Sequence, residues 1–271
     1  MSLTSEPAQG GKMVAGEEMP AMVEDQQPTT WALTPGAGWK DRVAGAVDRL
    51  SLGLARHWLA IFNLMLAAFV GLAFLAPVLM QVGAPAAGRV IYWLYSLTCH
   101  QLPERSFFLF GPQATYTLEE LEVLGALPAG LSVFQRQALH FPGSPQTGYK
   151  VALCQRDVAV WGSMLVAGVL FAVVRGWLWR RRVASLPRLP LWAYALCLVP
   201  LALDGGTQLV GWRESTWQLR LVTGGLFGAA TVWLAYPYVQ EAMDDVLRGI
   251  KGRSRQVMGG LRKSDHSGAG T

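Results

Sequence analysis

Four long stretches of this sequence are apolar and contain no charged residue. They are residues 58–80, 158–174, 189–203 and 221–239. An α-helix rises about 1.5 Å per residue, so roughly 17–25 residues are needed to cross the ~30 Å hydrocarbon core of a bilayer. Each stretch approaches or exceeds that length. The pattern predicts an all-α integral membrane protein with about four transmembrane helices.

A fifth apolar run, residues 90–97, is too short to cross a membrane. It carries Tyr92, Trp93 and Tyr95, and such aromatic side chains favour the boundary between lipid and water. Four spans with both termini on the inner side of the membrane place this run on the outer side. We therefore expect a short interfacial or re-entrant helix there.

The chain before the first span divides into two parts. Residues 1–39 mix Gly, Pro, Gln and Glu without helical or strand periodicity, which predicts a disordered N-terminal tail. Residues 40–57 have apolar positions at helical spacing, as in an amphipathic helix on the inner membrane surface. These positions are Val43, Val47, Leu50 and Leu54.

The predicted membrane domain covers residues 58–241 and includes an outer insertion at 112–153 with soluble character. Thr117, followed three residues later by Glu120, is typical of a capping box that begins a short helix. The Pro-Gly-Ser-Pro sequence at 142–145 indicates a turn. The insertion is either an outer cap over the helices or a loosely ordered loop.

Arginine and lysine cluster where the predicted helices leave the membrane. The link between the second and third spans contains Arg175, Arg180, Arg181, Arg182 and Arg188, without an acidic residue. The flank before the first span contains Lys40, Arg42, Arg49 and Arg56, and residues 242–271 form a basic tail. Basic flanks favour the cytoplasmic side. The sequence predicts a multi-pass plasma-membrane protein with both termini in the cytoplasm.

The composition agrees with this location. Charged residues make up 15% of the chain, against about 25% in typical soluble domains. A net charge of +5 would fit nucleic-acid binding in a soluble protein, but here the cations serve as orientation signals. The expected partner is the lipid bilayer, and no nucleic acid is expected.

Polar residues that could carry chemistry lie at the outer ends of the predicted spans. Asp204 and Gln208 lie one helical turn apart in and after the third span, and Arg213 and Arg220 precede the fourth. A carboxylate in hydrocarbon is costly unless it is paired, protonated or facing water. Asp204 therefore belongs either to a structural ion pair with Arg213 or Arg220, or to a polar pocket. In both cases we expect Asp204 and Arg220 to form one coupled unit.

In a pocket, arginines would grip an anionic head group, because the guanidinium is planar and bidentate. The candidate ligand-binding residues are Arg105, Gln208, Arg213 and Arg220. The candidate catalytic residues are Asp204, Glu104 and His100. The sequence contains no Gly-x-Ser-x-Gly, no Gly-rich phosphate loop and no His-Glu-x-x-His, and it leaves open whether the protein is an enzyme.

Two cysteines, Cys99 and Cys154, lie on the same outer side. They could form a disulfide, bind a metal ion, or be buried as small hydrophobic residues. A metal site would draw its ligands from Cys99, His100, Cys154 and Asp157, or from the distant His140. A metal ion is the cofactor that these residues suggest.

Small residues form one face of the fourth predicted span. They are Gly224, Gly225, Gly228 and Ala229. Such a face lets two helix backbones approach closely. We expect it to serve packing inside the bundle rather than between protomers.

Several motifs together resemble a known family. They are Cys99-His100-Gln101-Leu102-Pro103-Glu104-Arg105-Ser106-Phe107, Cys154-Gln155-Arg156-Asp157, Asp204-Gly205-Gly206-Thr207-Gln208, Arg213-Glu214-Ser215 and Arg220. The stretch from about residue 90 to residue 227 is similar to the prokaryotic membrane-protein family called domain of unknown function 2085. Many members of that family carry Cys-x-Arg-Cys close behind the first motif, whereas this chain has Cys-Gln-Arg-Asp after a long insertion. The resemblance implies a small helical membrane protein and supplies no activity.

Three functions are open on this basis. The leading one is binding, modification or transport of an anionic lipid or small anion at a buried polar site near the outer leaflet. The second is a thiol-dependent or metal-dependent redox role in the membrane. The third is a non-catalytic accessory subunit of a membrane complex.

Overall fold

The computed structural model describes residues 39–180 and 188–267, and most of them are helical. The helices are α1 (Trp39–Gln81), α2 (Pro85–Ser96), α3 (Leu118–Val123), α4 (Val133–Ala138), α5 (Gln155–Arg180), α6 (Leu191–Leu209) and α7 (Trp217–Ser267). The strands are β1 (Ser106–Leu109), β2 (Gly143–Ser144) and β3 (Gly148–Cys154). The predicted disordered tail up to residue 38 and the basic link at 181–187 lie outside the described residues. Residues 46–271 form one compact unit.

Three helices in the described part of the chain are long and apolar enough to cross a membrane. They comprise Arg42–Gln81, Gln155–Leu178 and Trp217–Gly252, and they contain the first, second and fourth predicted spans. Helix α6 covers residues 191–203 of the third predicted span and is not one of them. Its last turns carry Asp204, two glycines and Gln208, which lower its mean hydropathy. Three of the four predicted spans therefore lie in helices that are long and apolar enough to cross a membrane.

Helix α1 runs without a break through the boundary that the sequence suggested between an amphipathic helix and the first span. Helix α7 likewise continues past residue 241 into the basic segment. Backbone hydrogen bonding therefore joins segments that composition alone had separated.

The directions of the long helices follow from their contacts. At one end of α5 the carbonyl of Arg156 faces Gly224 of α7, and at the other end Arg175 Nη1 donates to Gln240 Oε1 at 2.6 Å. Both helices therefore run side by side in the same direction. Helix α6 runs opposite to α7: near the start of α6 the hydroxyls of Tyr194 and Thr231 lie 3.2 Å apart, whereas Asp204, later in α6, binds Ser215 just before α7 begins.

The glycine face of α7 brings it close to α5. A Cβ added at Gly228 would overlap the carbonyl oxygen of Val160 and the hydroxyl of Ser163. A Cβ at Gly224 would lie 3.0 Å from the Arg156 carbonyl oxygen, whereas one at Gly225 meets nothing within 4 Å. The small residues thus permit close packing inside the chain, as the sequence predicted.

The short aromatic helix expected on the outer side is α2. Its Gly88 lies against Met80 near the end of α1, and its Tyr92 hydroxyl donates to the Lys150 carbonyl of β3. Tyr95 donates to the Phe69 carbonyl of α1. Helix α2 therefore packs between α1 and the sheet.

An antiparallel sheet in the order β1-β3-β2 makes the prediction of an all-α chain wrong for this region. Ser106 pairs with Cys154, and Gly143 pairs with Tyr149. The strands are short, and more than thirty residues separate β1 from β3 along the chain. Their pairing depends on backbone hydrogen bonds between distant segments, which an apolar pattern does not reveal.

The insertion at 112–153 supplies β2 and nearly all of β3, and the rest of it packs against the sheet. Its first helix, α3, begins with the predicted capping box of Thr117 and Glu120. The buried cluster of this region consists of Phe108, Tyr116, Leu121 and Leu127. Because Phe108 belongs to β1, the insertion shares a small core with the sheet, unlike a loosely ordered loop.

Candidate functional site

Asp204 is the centre of a polar cluster at the end of α6, and only 1% of its side chain is exposed. Its Oδ2 accepts from Arg156 Nη2 at 2.6 Å and from the Ser215 hydroxyl at 2.9 Å. Its Oδ1 accepts from Arg213 Nη2 at 2.8 Å. Arg156 lies in the first turn of α5, and the other two residues lie in the loop before α7. These donors stabilise a carboxylate that would be costly to bury alone.

Arg220 makes no hydrogen bond or ion pair with Asp204 in the described structure, although the two interact electrostatically, so the coupled unit expected from the sequence is not a direct pair. Its Nη1 donates to Gln155 Oε1 at 2.8 Å. Gln155 Nε2 in turn donates to the Ser106 carbonyl at 3.1 Å, which joins the helices to β1. The sequence spacing between Asp204 and Arg220 could not reveal that Arg156, in α5, is the residue that pairs with Asp204.

The cluster carries more positive than negative charge. Arg105 and Arg156 lie close enough to Arg220 to repel its guanidinium electrostatically, and Arg213 is bound to the same carboxylate as Arg156. Four guanidinium groups therefore belong to one cluster, and Asp204 pairs with two of them, Arg156 and Arg213. This arrangement favours a further anion.

Buried donors in the cluster have no hydrogen-bond partner among the described residues. They are the Nε of Arg156, the Nε of Arg220 and the Nε2 of Gln208. Leaving a buried donor unsatisfied costs about 1–3 kcal/mol. An added acceptor with several oxygens, such as a phosphate or carboxylate group, would satisfy such donors.

A second group joins Cys99, Cys154 and Asp157, whose sulfur and oxygen atoms all lie within 4.8 Å of one another. Both cysteines are free thiols. The Cys154 thiol donates to Asp157 Oδ2 at 3.1 Å, and the Cys154 backbone N–H donates to Cys99 Sγ at 3.3 Å. The hydrogen bond with Cys99 and burial raise the pKa of the Cys154 thiol well above its usual value. His100, which the sequence placed with these ligands, is exposed and lies outside the group.

Glu104 belongs to a third environment. Its Oε1 lies 3.2 Å from Arg136 Nη2 of α4, and both side chains are almost fully buried. The neighbouring Lys150 is 1% exposed and donates from Nζ to the Gln101 carbonyl. Burial lowers the pKa of Lys150 to about 7, although the charges of Cys99 and Glu104 oppose this shift. Glu104 is thus bound to the insertion rather than to the arginine cluster.

The structure brings Asp204, Gln208 and Arg213 together, and it places Arg105 beside Arg220. Sequence reasoning did not assign roles to the residues that connect these groups. They are Arg156, Gln155, Ser215 and Lys150. The first three were visible only as parts of motifs, and Lys150 could have been noticed as a single charge directly before the apolar run at 151–154.

The family model described as "Predicted membrane protein (DUF2085)" matches residues 146–234. This confirms the resemblance inferred from the motifs. The DUF2085 segment contains the whole Asp204 cluster except Arg105, together with Cys154 and Asp157. Cys99, His100 and Glu104 lie before it.

Among curated proteins, this DUF2085-like chain is similar to the uncharacterised protein MJ1492 of Methanocaldococcus jannaschii. The two are 27% identical over 173 residues, which is 62% of this chain and 83% of that protein. No solved structure matches the chain. The comparisons therefore show similarity to a predicted membrane-protein family and to an uncharacterised protein, and neither description names an activity.

Proposed function

We propose that this protein binds an anionic group, either the head group of an anionic lipid or a small anion, at the arginine cluster around Asp204. The observation that carries the proposal is the excess of guanidinium groups in the cluster, two of which have a buried Nε with no acceptor in the part of the chain that the structure describes. Asp204 is already occupied by three donors. Its role is to hold Arg156 and Arg213 in place, and recognition rather than proton transfer is the proposed task.

The proposed topology has four crossings, with α6 as the third. Helix α5 ends at Arg180, and α7 begins beside the opposite end of α5, so the chain returns across the bundle between them. At about 1.5 Å per residue, the 19 residues of α6 span nearly the ~30 Å hydrocarbon core. One face of α6 exposes Trp192, Leu196 and Leu203, which suits contact with lipid.

The proposed orientation puts both termini in the cytoplasm of a plasma-membrane protein. Arg175 and Arg188 lie at the end of the bundle where α5 finishes and α6 begins, and basic residues favour the cytoplasmic side. The Asp204 cluster lies at the other end, next to β1. The arginine site would then face the outer leaflet, with the insertion as an outer cap.

This orientation can be tested with an impermeant thiol reagent on intact cells, using the wild-type chain as background. A cysteine introduced at Ser144 should be labelled, and one introduced at Ser185 should not. Labelling at position 185 alone would invert the topology and place the site on the cytoplasmic side.

Anion binding can be tested on detergent-purified protein with inorganic phosphate and on nanodiscs of phosphatidylglycerol or phosphatidylcholine. Charge-assisted hydrogen bonds contribute about 1.5–3 kcal/mol, so Arg220→Gln should weaken binding by roughly tenfold or more. Arg188→Gln is the matched control, because Arg188 is exposed and pairs with Glu241 at the opposite end.

Stronger binding to phosphatidylglycerol nanodiscs alone would identify a lipid head group, and binding of free phosphate would identify a small anion. Equal affinity of wild type and Arg220→Gln for both probes would refute the proposal. An equal loss of affinity in Arg188→Gln would show that the binding is non-specific electrostatic attraction.

A further inference from the structure

The ligand atoms of Cys99, Cys154 and Asp157 converge from three different elements. Cys99 follows α2, Cys154 ends β3, and Asp157 lies in the first turn of α5. Their two sulfur atoms and one carboxylate oxygen lie within 4.8 Å of one another. Cys99 is 6% exposed. Two thiols and a carboxylate that are buried or half-buried are typical of a metal site rather than of a solvated acidic surface.

We propose that Cys99, Cys154 and Asp157 bind one divalent cation of the zinc type. Zinc binds thiolate sulfur at about 2.3 Å and carboxylate oxygen at about 2.0–2.2 Å, so two sulfurs on a tetrahedral ion lie about 3.8 Å apart. The observed separations need only small side-chain movements to reach this geometry. The hard carboxylate beside two thiols favours a borderline ion over Cu(I), which prefers sulfur ligands.

The surroundings balance the charge of the bound ion. A divalent cation with two thiolates and one carboxylate has one net negative charge. Lys150 interacts electrostatically with Cys99, and Arg220 interacts with Cys154. Arg220 is buried, so its attraction to the complex is weakly screened, whereas Lys150, whose pKa burial lowers to about 7, is only partly protonated near neutral pH.

Backbone donors also orient the ligands. The N–H of Cys154 points to Cys99 Sγ at 3.3 Å, and the N–H of Asp157 points to Cys154 Sγ at 3.5 Å. The thiol proton of Cys154 is directed at Asp157 Oδ2, where a cation would replace it and bind both atoms. A disulfide would use the two sulfurs but would not explain why this carboxylate converges with them.

Three protein ligands leave a fourth position on a tetrahedral ion for water or an exogenous ligand. The site lies directly beside Gln155 and Arg156, which hold Arg220 and Asp204. It uses a different set of ligands from the anion site: in the described structure Cys99, Cys154 and Asp157 make no hydrogen bond or ion pair with the arginine cluster, and only an electrostatic interaction joins Cys154 to Arg220.

The test is the metal content of the full chain, purified in mild detergent, loaded with Zn²⁺ and desalted. Wild type should retain about one zinc per chain. Cys99→Ser and Cys154→Ser should lose most of it, and Asp157→Asn should bind at least tenfold more weakly. Cys197→Ser is the matched thiol control and should retain zinc. Arg213→Gln should also retain it, which separates this site from the anion site.

A second measurement uses unmutated protein and so does not depend on the folding of variants. Co²⁺ loading should produce a thiolate-to-cobalt charge-transfer band that Zn²⁺ displaces. Absence of that band together with zinc-free wild type would overturn the proposal. Recovery of a Cys99–Cys154 disulfide peptide from protein purified without reductant and unable to take up zinc would also overturn it, and so would zinc retained in Cys154→Ser.

Discussion

Neutralising Asp204 should destabilise the protein mainly through Arg156. In Asp204→Asn the shape of the side chain is preserved, but Arg156 and Arg213 lose their carboxylate. Removing one partner of a fully buried pair costs about 3–5 kcal/mol, and a fully exposed pair contributes about 0.2–1 kcal/mol. Arg156 and Arg213 are 25% and 44% exposed. We therefore expect a coupling energy of about 1–3 kcal/mol for Asp204 with Arg156, and less with Arg213.

The assay is a double-mutant cycle of Asp204→Asn and Arg156→Gln, measured by reversible unfolding of purified protein in detergent. The double variant should be more stable than the sum of the single losses predicts, because no charge is left unpaired. A parallel cycle of Asp204→Asn with Arg220→Gln is the comparison, since these residues share no hydrogen bond in the described structure. Coupling that is absent from the first cycle, or larger in the second, would refute the arrangement around Asp204.

Gly228→Ala should destabilise the protein by about 1–3 kcal/mol through overpacking against α5. Gly225→Ala should be neutral or stabilising, because its Cβ enters open space. Thermal unfolding of both variants measures the difference, and equal effects would contradict the close approach of the two helices. Burial lowers the pKa of Lys150 to about 7 in the folded protein, whereas an unfolded lysine has a pKa of about 10.4. Between these two pH values the unfolded chain binds more protons than the folded one. The free energy of unfolding should therefore rise with pH, by up to about 1.4 kcal/mol per pH unit. Lys150→Met should flatten that rise and exposed Lys251→Met should keep it; an unchanged slope in Lys150→Met would show that another group titrates. Leu121→Ala should lower the free energy of unfolding by about 2–5 kcal/mol and make the insertion a preferred site of limited proteolysis. If the insertion were loosely ordered, it would already be cleaved in the wild-type protein.

The sequence by itself determined where the apolar helices lie. Uncharged runs of sufficient length can satisfy their backbone polar groups in lipid only as helices, so hydropathy located the segments of α1, α5, α6 and α7. Local signals were equally direct for the capping box at Thr117 and for the glycine face of α7. Each of these features depends on residues within a few turns of one another.

The tertiary structure alone decided which polar groups meet. Asp204 and Arg156 are 48 residues apart, and the sequence offered Arg220 as an equally charged and nearer partner. The choice depends on the parallel arrangement of α5 and α7, which brings the first turn of α5 beside the end of α6. In the same arrangement Arg220 donates to Gln155, and the Nε groups of Arg156 and Arg220 find no acceptor among the described residues.

The pattern of apolar and polar residues did not predict the sheet either. Strand β3 is buried along most of its length, so it lacks the alternation of apolar and polar residues that marks a half-exposed strand. Its pairing with β1 brings Cys99 and Cys154 together across 55 residues. A sequence fixes a local periodicity because neighbouring residues share one backbone geometry, whereas contacts between distant residues depend on how whole elements pack.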